Sequence, residues 1–309
     1  MQIAVLGSGG IGGYYGALLA KAGHDVVFIA RGAHLEAMQG HGLTVRTPDG
    51  QSTIPVMAVA DTSGVGPVDL ILFCVKSYDT EPAALALPPL MGRDTAVLTL
   101  QNGVDNVQGI APVVGWGAVL QGAVYIALQL VGPGVIVRTG GEGKIVFGEA
   151  SGAGTERVGR IASAFQQSGI PHQVSSDIIR VLWEKFLFIT DVGGLTALAR
   201  SGIGPILASP EGRTLLTASC REVAAVGRAE GRLLQPDAVD AVIEQAETLP
   251  SQWRSSMARD LEDGRRLEVQ ALSGAVVRRG RKHGISTPVH ETIAACLSLH
   301  QPDPSGQHQ

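Results

Sequence analysis

Short apolar runs alternate with helical patterns through the first half of the chain. Such runs are typical of strands that are covered on both faces of a parallel sheet, and helical patterns between them indicate crossover connections. The predicted strands of this kind are Ile3–Leu6, Val26–Ile29, Val68–Val75 and Thr95–Leu100. The predicted helices between them are Tyr14–Ala22 and Thr80–Met91. This alternation predicts a Rossmann-type doubly wound α/β sheet.

Two longer apolar segments follow, and they differ from the first four because only a glycine–proline turn separates them. They cover Ala118–Leu130 and Val135–Phe147, with Gly132-Pro133-Gly134 between them. This arrangement predicts a pair of strands, which we expect at the far side of the sheet. A helix at Val158–Gln167 and a short strand at Gly169–Val174 complete the α/β half.

From Asp177 onward, strand-like runs stop and long helical patterns take over. The predicted helices are Ile178–Ala199, Thr214–Glu230, Pro236–Leu249, Val269–His283 and Val289–Leu299. We therefore predict an α/β domain at residues 1–175 and an all-α C-terminal domain at 176–300. The polar tail at 301–309, which contains two prolines, is predicted to be disordered.

Composition narrows the class of protein. The chain has 309 residues, 45% of them hydrophobic and 17% charged, which suits two globular domains. Its net charge of −4 argues against a nucleic-acid partner. We find no apolar run long enough to cross a bilayer and no leader pattern, so we expect no membrane association. Cys74, Cys220 and Cys296 are far apart and lack metal-ligand spacing, which predicts reduced thiols in a cytoplasmic protein without a metal.

The first strand runs directly into Gly7-Ser8-Gly9-Gly10-Ile11-Gly12, a G-x-G-x-x-G pattern. In dinucleotide-binding folds the first glycine permits the tight turn, the second lets the backbone approach a pyrophosphate, and the third allows close helix–strand packing. Because the chain contains 41 glycines, such a pattern can arise by chance as an ordinary glycine-rich turn. Its place between a predicted strand and a predicted helix favours dinucleotide binding.

Three polar residues follow directly on predicted strands, where a bound dinucleotide would lie. Arg31 follows the second strand, at the position where an NAD-specific site carries an acidic residue, and its guanidinium could bind a 2′-phosphate. This favours NADP, although a solvated cation at a strand end is the simpler alternative. Lys76 and Asn102 follow the next two strands. A surface lysine on a loop, and an ordinary Asn-Gly turn, are the alternatives for these two residues.

Two ionisable residues of the helical half are candidates for catalysis. Lys185 is flanked by apolar residues, so its amine either extends to solvent or points into a cleft. Glu268 precedes a helical pattern, where a carboxylate in the first turn would simply interact favourably with the helix dipole. Burial would lower the pKa of Lys185, whereas a nearby carboxylate would raise it, and the sequence leaves that balance open.

Several short motifs, in this order, resemble the ketopantoate reductase (2-dehydropantoate 2-reductase) family. They are Gly7–Gly12, Ala30-Arg31-Gly32, Val75-Lys76, Gln101-Asn102-Gly103, Leu182-Trp183-Glu184-Lys185, Ser255-Ser256-Met257 and the segment Arg278–Pro288. The resemblance covers Met1 to Leu299. It implies an NADPH-dependent reduction of a 2-keto acid to a 2-hydroxy acid, with ketopantoate as the default substrate, in pantothenate biosynthesis.

The resemblance also implies roles for individual residues. Lys185 matches the family's catalytic lysine, the general acid toward the carbonyl oxygen, and Glu268 matches its acidic partner near the nicotinamide ribose. Asn102 matches an asparagine that holds substrate and nicotinamide, and Ser256 matches a serine that binds the substrate carboxylate. The positions that match NADP-binding residues are Gly7, Gly9, Gly12, Arg31 and Lys76.

The chain departs from the family on the helix that follows the catalytic lysine. Where the family carries two asparagines that bind polar groups of the substrate, this chain has Ile189 and Gly193. A reductase of a less polar keto acid therefore stays open as an alternative. A non-catalytic NADPH-binding regulator is a further alternative, which the presence of both Lys185 and Glu268 disfavours. Homodimer formation through the helical half is kept as a hypothesis.

Overall fold

The computed structural model describes residues 1–232 and 234–301, and these form two compact units. Unit 1 contains residues 1–101 and 105–181, and unit 2 contains residues 102–104 together with the described residues from 182 onward. The tail predicted at 301–309 lies outside the described residues except for Gln301. The side-chain amide of Gln301 is hydrogen-bonded to both the backbone N–H and the carbonyl of Leu267.

The strands that are described in unit 1 form one ten-stranded sheet. Their bounds are β1 Gln2–Leu6, β2 Asp25–Ile29, β3 Leu43–Thr47, β4 Gly50–Ile54, β5 Met57–Val59, β6 Leu70–Phe73, β7 Ala96–Thr99, β8 Val119–Gly132, β9 Val135–Gly148 and β10 His172–Val174. The strand order is β4-β3-β9-β8-β7-β6-β1-β2-β5, with β10 paired to β9. Strands β2, β1, β6, β7 and β8 pair in parallel, which confirms the Rossmann-type sheet.

The long strands β8 and β9 pair antiparallel, as the sequence predicts, but they do not form the far side of the sheet. The prediction was wrong on that point because β3 pairs with β9, and β4 then pairs with β3 beyond it. Strands β3 and β4 carry exposed or half-buried polar residues such as Thr44, Arg46 and Gln51. They therefore lack the continuous apolar run by which the other strands were recognised.

The helices described in unit 1 cover both faces of the sheet. They are α1 Gly10–Lys21, α2 Gly32–His41, α3 Thr80–Ala84, α4 Asn106–Val114 and α5 Glu156–Gln167. The helix predicted at Thr80–Met91 is shorter than expected, because only a 3₁₀ turn at Pro88–Leu90 continues the segment. Proline lacks the backbone N–H that a continuing helix needs.

The apolar residues of β1 contribute to two hydrophobic cores, one on each face of the sheet. Ile3 and Val5 belong to the core on one face of the sheet, whereas Ala4 and Leu6 belong to the core on the other. Because successive side chains of a strand point to opposite faces, a strand that is covered on both sides needs apolar residues at every position. In the described residues we find no helix with the length and apolar character that a membrane span requires.

From residue 178 onward the described structure is helical. The helices are α6 Ile178–Leu198, α7 Ile203–Ala208, α8 Pro210–Ala229, α9 Ala238–Glu247, α10 Ser256–Glu262, α11 Ser273–His283 and α12 Pro288–Ser298. The all-α prediction for this half is therefore confirmed, but the predicted start of one helix was wrong. Helix α11 begins at Ser273, so Glu268 precedes it in an irregular segment and its carbonyl accepts the N–H groups of Ala271 and Leu272.

Candidate active site

The glycine-rich loop between β1 and α1 has a shape that only glycine permits at its first position. Gly7 has φ = +96°, and a Cβ there would lie 2.5 Å from the backbone nitrogen of Val75. Both the left-handed backbone and this close approach exclude a side chain. The sequence-predicted role of Gly7, a tight turn at the end of β1, therefore matches its geometry.

The other two glycines of the pattern differ from each other in a way that matches their expected roles. A Cβ on Gly9 would meet no atom within 4 Å, so the backbone there borders open space. A Cβ on Gly12 would collide with the carbonyl oxygen of Gly7 and lie 2.8 Å from Val5 Cγ1, so Gly12 lets α1 pack directly on β1. An open cradle at Gly9, at the start of helix α1, fits a pyrophosphate group.

Arg31 and Lys76 lie at the same edge of the sheet as this loop. Strands β2 and β6 flank β1 in parallel, with Ile29 and Phe73 both opposite Leu6. Arg31 follows β2 and is exposed at the start of α2, and Lys76 follows β6 and is half-buried. The structure therefore brings both cations to the carboxyl ends of the strands that surround the loop, as the sequence predicts.

Asn102 and Lys185 come together in unit 2. Lys185 is on α6, and its Nζ donates a 2.9 Å hydrogen bond to Asn102 Oδ1. The residue before Asn102 is anchored by the α/β unit: Gln101 Nε2 donates to the carbonyl of Val75 at 3.0 Å and to Thr80 Oγ1 at 2.8 Å. Gln101 therefore fixes the start of the segment that carries Asn102. Gln101 belongs to the Gln101-Asn102-Gly103 motif, but no local signal in the sequence indicates this anchoring role.

The ammonium group of Lys185 has an unusual pKa. Burial lowers the pKa of Lys185 from 10.5 to about 8, and the negative charge of Glu268 opposes this shift. Glu268 is itself buried. Burial is therefore the larger effect, which resolves the balance that the sequence left open, and Lys185 can both hold and release a proton near neutral pH.

One face of α6 continues from Lys185 to Ile189 and Gly193, each one helical turn further along. Ile189 is half-buried, and Gly193 packs against the segment that begins α10.

Two serines stand at the start of α10. Ser255 Oγ donates to the carbonyl of Gly193 at 3.1 Å and accepts a hydrogen bond from the N–H of Ala258 at 3.0 Å. Ser255 is thus the N-cap of α10, a role that the sequence analysis missed although a Ser-Ser pair before a helical pattern is a capping signal. Ser256, the predicted carboxylate ligand, is exposed at the first position of α10.

The opposite side of α6 is tied to α12 by a buried charged pair. His290 Nε2 lies 3.1 Å from Asp191 Oδ1, and both side chains are fully buried. Burial alone lowers the pKa of His290, but hydrogen bonding to Asp191 and the charges of Asp191 and Glu222 outweigh it and raise the pKa. Asp191 is therefore engaged away from the face that carries Lys185.

The predicted site residues form two groups. Gly7, Gly9, Gly12, Arg31 and Lys76 surround the open cradle of unit 1, and Asn102, Lys185 and Glu268 belong to unit 2. Within residues 1–232 and 234–301, no cluster of three or more His, Cys, Asp or Glu side chains could hold a metal ion. A glycine-rich loop at the carboxyl ends of parallel strands, in a chain that also presents a buried lysine with a lowered pKa, is typical of a dinucleotide-dependent oxidoreductase.

Comparison with known proteins identifies the family. Residues 3–152 match the family model described as ketopantoate reductase PanE/ApbA, and residues 177–301 match the model of its C-terminal part. The chain therefore belongs to the ketopantoate reductase family.

Individual relatives agree over the whole length. A 2-dehydropantoate 2-reductase from Halobacterium salinarum is 36% identical, with 98% of this chain and 100% of the relative covered. The crystal structure of a PanE/ApbA family ketopantoate reductase from Ralstonia eutropha JMP134 superimposes with a TM-score of 0.90 at 35% identity, covering 97% of this chain and 98% of that one. D-mandelate dehydrogenase, solved with NADH and anilino(oxo)acetate, has a TM-score of 0.88 over 97% of this chain and 98% of that one. At 23% identity this last likeness concerns the fold alone.

Proposed function

We propose that this protein reduces 2-dehydropantoate (ketopantoate) to pantoate with NADPH. The observation that carries the proposal is the hydrogen bond between Lys185 Nζ and Asn102 Oδ1, together with the lowered pKa of Lys185. These features lie in a chain whose curated relatives at 36% and 33% identity are named 2-dehydropantoate 2-reductase.

The residues proposed to bind the phosphates of the cofactor are those of the cradle in unit 1, and Asn102 and Glu268 are proposed to lie near its nicotinamide and ribose. The pyrophosphate would lie over Gly9, where the backbone borders open space, and Arg31 and Lys76 would supply positive charge to the phosphates. Arg31 stands where an acidic side chain would select against a 2′-phosphate, which supports NADPH over NADH. NADPH, when bound, supplies the hydride that reduces the keto carbon.

Lys185 would serve as the general acid. As the hydride reaches the carbonyl carbon, negative charge develops on the carbonyl oxygen, and a nearby ammonium group stabilises it. Lys185 then transfers a proton from Nζ to that oxygen, which gives the hydroxyl of the product. With a pKa of about 8, Lys185 is protonated at neutral pH and is also a stronger acid than an ordinary lysine.

Asn102 would position the ammonium group of Lys185, and Glu268 would help to keep it protonated. The Asn102 amide oxygen accepts a hydrogen bond from one of the three N–H groups of the ammonium and so limits its rotation. Glu268 keeps the pKa of Lys185 from falling further, so that the lysine carries its proton when the substrate arrives. Ser256, exposed at the start of α10, is proposed as a donor to the substrate carboxylate.

One specific observation keeps a second substrate class open. Beyond Lys185 the same face of α6 presents the half-buried Ile189 and the side-chain-free Gly193, with no polar side chain at either position. A keto acid with an apolar substituent would fit this face at least as well as the hydroxylated ketopantoate.

The test is the oxidation of NADPH by the purified protein with saturating ketopantoate, beside a panel of 2-keto acids with alkyl and aryl substituents. Turnover of ketopantoate with the best kcat/KM of the panel supports the proposal. Turnover only of apolar keto acids would support the reduction of a 2-keto acid but would contradict ketopantoate as the substrate. Tight NADPH binding with no turnover of any keto acid would support the non-catalytic regulator.

The proposed reaction also bears on the cellular compartment, the pathway and the oligomeric state of the enzyme. We propose a cytoplasmic homodimer that acts in pantothenate biosynthesis. Cys74, Cys220 and Cys296 are all free thiols, as suits a reducing compartment. Sedimentation of the purified protein tests the dimer, and a monomer at micromolar concentration would reject it.

A further inference from the structure

His34 of α2 bridges two parts of unit 1 that are distant in sequence. Its Nε2 lies 2.8 Å from the carbonyl oxygen of Ser8 in the glycine-rich loop. Its Nδ1 accepts a 2.9 Å hydrogen bond from the backbone N–H of Gly134, in the turn between β8 and β9. One imidazole ring thus connects the proposed pyrophosphate cradle to the strand pair.

These two contacts fix the tautomer of His34. The backbone N–H of Gly134 can only donate, so Nδ1 must carry a lone pair rather than a proton. In a neutral imidazole the proton is then on Nε2, which donates it to the carbonyl of Ser8. Both hydrogen bonds are made at once only by the neutral Nε2–H form.

The far end of this bridge is itself firmly held. The carbonyl oxygen of Gly134 accepts a 2.8 Å hydrogen bond from the N–H of Thr44 in β3. A Cβ on Gly134 would lie 3.1 Å from Ala37 Cβ, so the turn packs closely on α2. His34 therefore spans from a turn anchored on the sheet to the loop.

The near end, Ser8, is held in two places. Its carbonyl accepts from His34, and its hydroxyl donates to the carbonyl of Ile29 at the end of β2, at 2.8 Å. The peptide group between Ser8 and Gly9 is planar and trans, so fixing the Ser8 carbonyl also fixes the direction of the Gly9 N–H, on the opposite side. Gly9 is the residue whose backbone borders open space.

A glycine-rich segment needs such external restraint. Glycine loses more conformational freedom on ordering than any other residue, so a loop that contains Gly7 and Gly9 is costly to hold in one shape. A loop that is already ordered before the cofactor arrives loses little further conformational entropy on binding, so binding is stronger.

We propose that His34 is a positioning residue that holds the glycine-rich loop in its cofactor-binding shape through the Ser8 carbonyl. The proposal rests on the proposed function in one respect, namely that this loop binds the pyrophosphate of NADPH. His34 itself contacts the loop and not the reacting atoms.

Two variants of His34 separate its two hydrogen bonds. In His34→Gln the side-chain Nε2 extends as far as the imidazole Nε2 and can still donate to Ser8. In His34→Asn the side-chain Oδ1 takes the place of Nδ1 and can still accept from Gly134, but no donor reaches Ser8. Both variants are polar and of similar shape, so they form a matched pair.

We expect His34→Asn to weaken cofactor binding about three- to tenfold, the effect of one neutral hydrogen bond, and His34→Gln to stay within twofold of the parent. The dissociation constants of NADPH and NADH are measured by nucleotide fluorescence. Since both nucleotides carry a pyrophosphate, both should weaken alike. A loss confined to NADPH would mean that the variant acts through Arg31, three residues earlier at the N-cap of α2, and would overturn the proposal.

Amide hydrogen exchange of the cofactor-free protein provides a readout that does not depend on binding. Exchange over residues 7–12 should be faster in His34→Asn than in His34→Gln, with the sheet strands unchanged. Equal exchange in the two variants would overturn the positioning role. If the parent protein bound neither nucleotide, the proposed function would fail, and the exchange comparison would still decide whether His34 orders the loop.

Discussion

Lys185 Nζ donates a 2.9 Å hydrogen bond to Asn102 Oδ1, which joins residues that are 83 positions apart in the chain. Lys185 is placed by the long helix α6, and Asn102 is placed by the segment that follows β7. Each element is specified by its own apolar pattern, yet the contact between them arises only from the tertiary fold.

Replacement of the lysine tests its role as a proton donor. We expect Lys185→Ala to lower kcat by about 10²- to 10⁴-fold, the range for loss of a general acid that also stabilises developing charge. NADPH binding should change little, because the cofactor cradle belongs to unit 1. Steady-state kinetics and a fluorescence titration measure the two effects.

The matched control is Lys185→Arg, which keeps the positive charge but is a far weaker acid. It should recover part of the electrostatic stabilisation and little of the proton transfer, so its kcat should fall between those of the parent and Lys185→Ala. Activity of the alanine variant within threefold of the parent would rule out Lys185 as the acid.

The pH dependence follows from the lowered pKa of Lys185. The general acid must be protonated, so kcat/KM should be level below about pH 8 and fall tenfold per unit above it. Glu268 raises the pKa of Lys185 against the effect of burial. The variant Glu268→Gln should therefore move the falling limb to lower pH. A profile that is level through pH 9.5, or one that moves to higher pH in Glu268→Gln, would contradict this assignment.

Arg31 provides a test of cofactor selection. It is exposed at the carboxyl end of β2, where a 2′-phosphate would lie. We expect Arg31→Ala to raise the dissociation constant of NADPH about tenfold, since a charge-assisted hydrogen bond contributes about 1.5–3 kcal/mol, and to leave NADH binding nearly unchanged. An equal loss for both nucleotides would show that Arg31 acts on a group they share.

The strands of the α/β half could be predicted from the sequence wherever burial on both faces makes every residue of the strand apolar. Strand β1 is covered on both faces, so residues 3–6 are all apolar and the strand was evident. Strands β3 and β4 are partly exposed, and Thr44 and Arg46 interrupt the pattern that would have marked them. The position of β8 and β9 inside the sheet depends on those two strands and could not be foreseen without them.

The residues of the candidate site could be predicted from the sequence only in part, for a related reason. The glycines and the lysine have local signals, but Ser8 and His34 have none, because their partners are distant in sequence. Ser8 contacts Ile29 and His34, 21 and 26 positions away, and His34 contacts Gly134, 100 positions away. Glu268 was expected directly at the start of a helix, because residues 269–283 continue one helical pattern, but the first turn of that pattern is irregular and α11 begins only at Ser273. Its proximity to Lys185 came from the family resemblance and not from periodicity.

The apolar face of α6 predicts how substrate preference can be changed. Ile189 is half-buried one turn beyond Lys185, and the variant Ile189→Asn would present an amide there. We expect kcat/KM for ketopantoate to rise relative to that for an alkyl 2-keto acid, by about tenfold in the ratio. Ile189→Val, which keeps the face apolar, is the control. If both variants moved the ratio equally, the change would reflect volume and not polarity.

The buried pair of Asp191 and His290 predicts how stability depends on pH. The pKa of His290 is raised above its ordinary value of 6.5, despite burial, because Asp191 and Glu222 favour the charged ring. A raised pKa in the folded protein means that the stabilisation is fully present below pH 6.5 and is lost as the pH rises through the raised value. Urea unfolding at several pH values should show this decline in the parent and not in His290→Gln.

Removal of both partners of this pair should cost less than the two single removals added together. Asp191→Asn or His290→Gln alone leaves a buried group without its ionic partner, for which we expect a loss of about 3–5 kcal/mol in the free energy of unfolding. The double variant should lose less than the sum of the two single losses, because neither charge is left uncompensated. The pair lies on the side of α6 away from Lys185, so the kcat of the folded variants should stay near that of the parent. Strict additivity in the double-mutant cycle would mean that the two side chains do not interact, whatever their 3.1 Å separation.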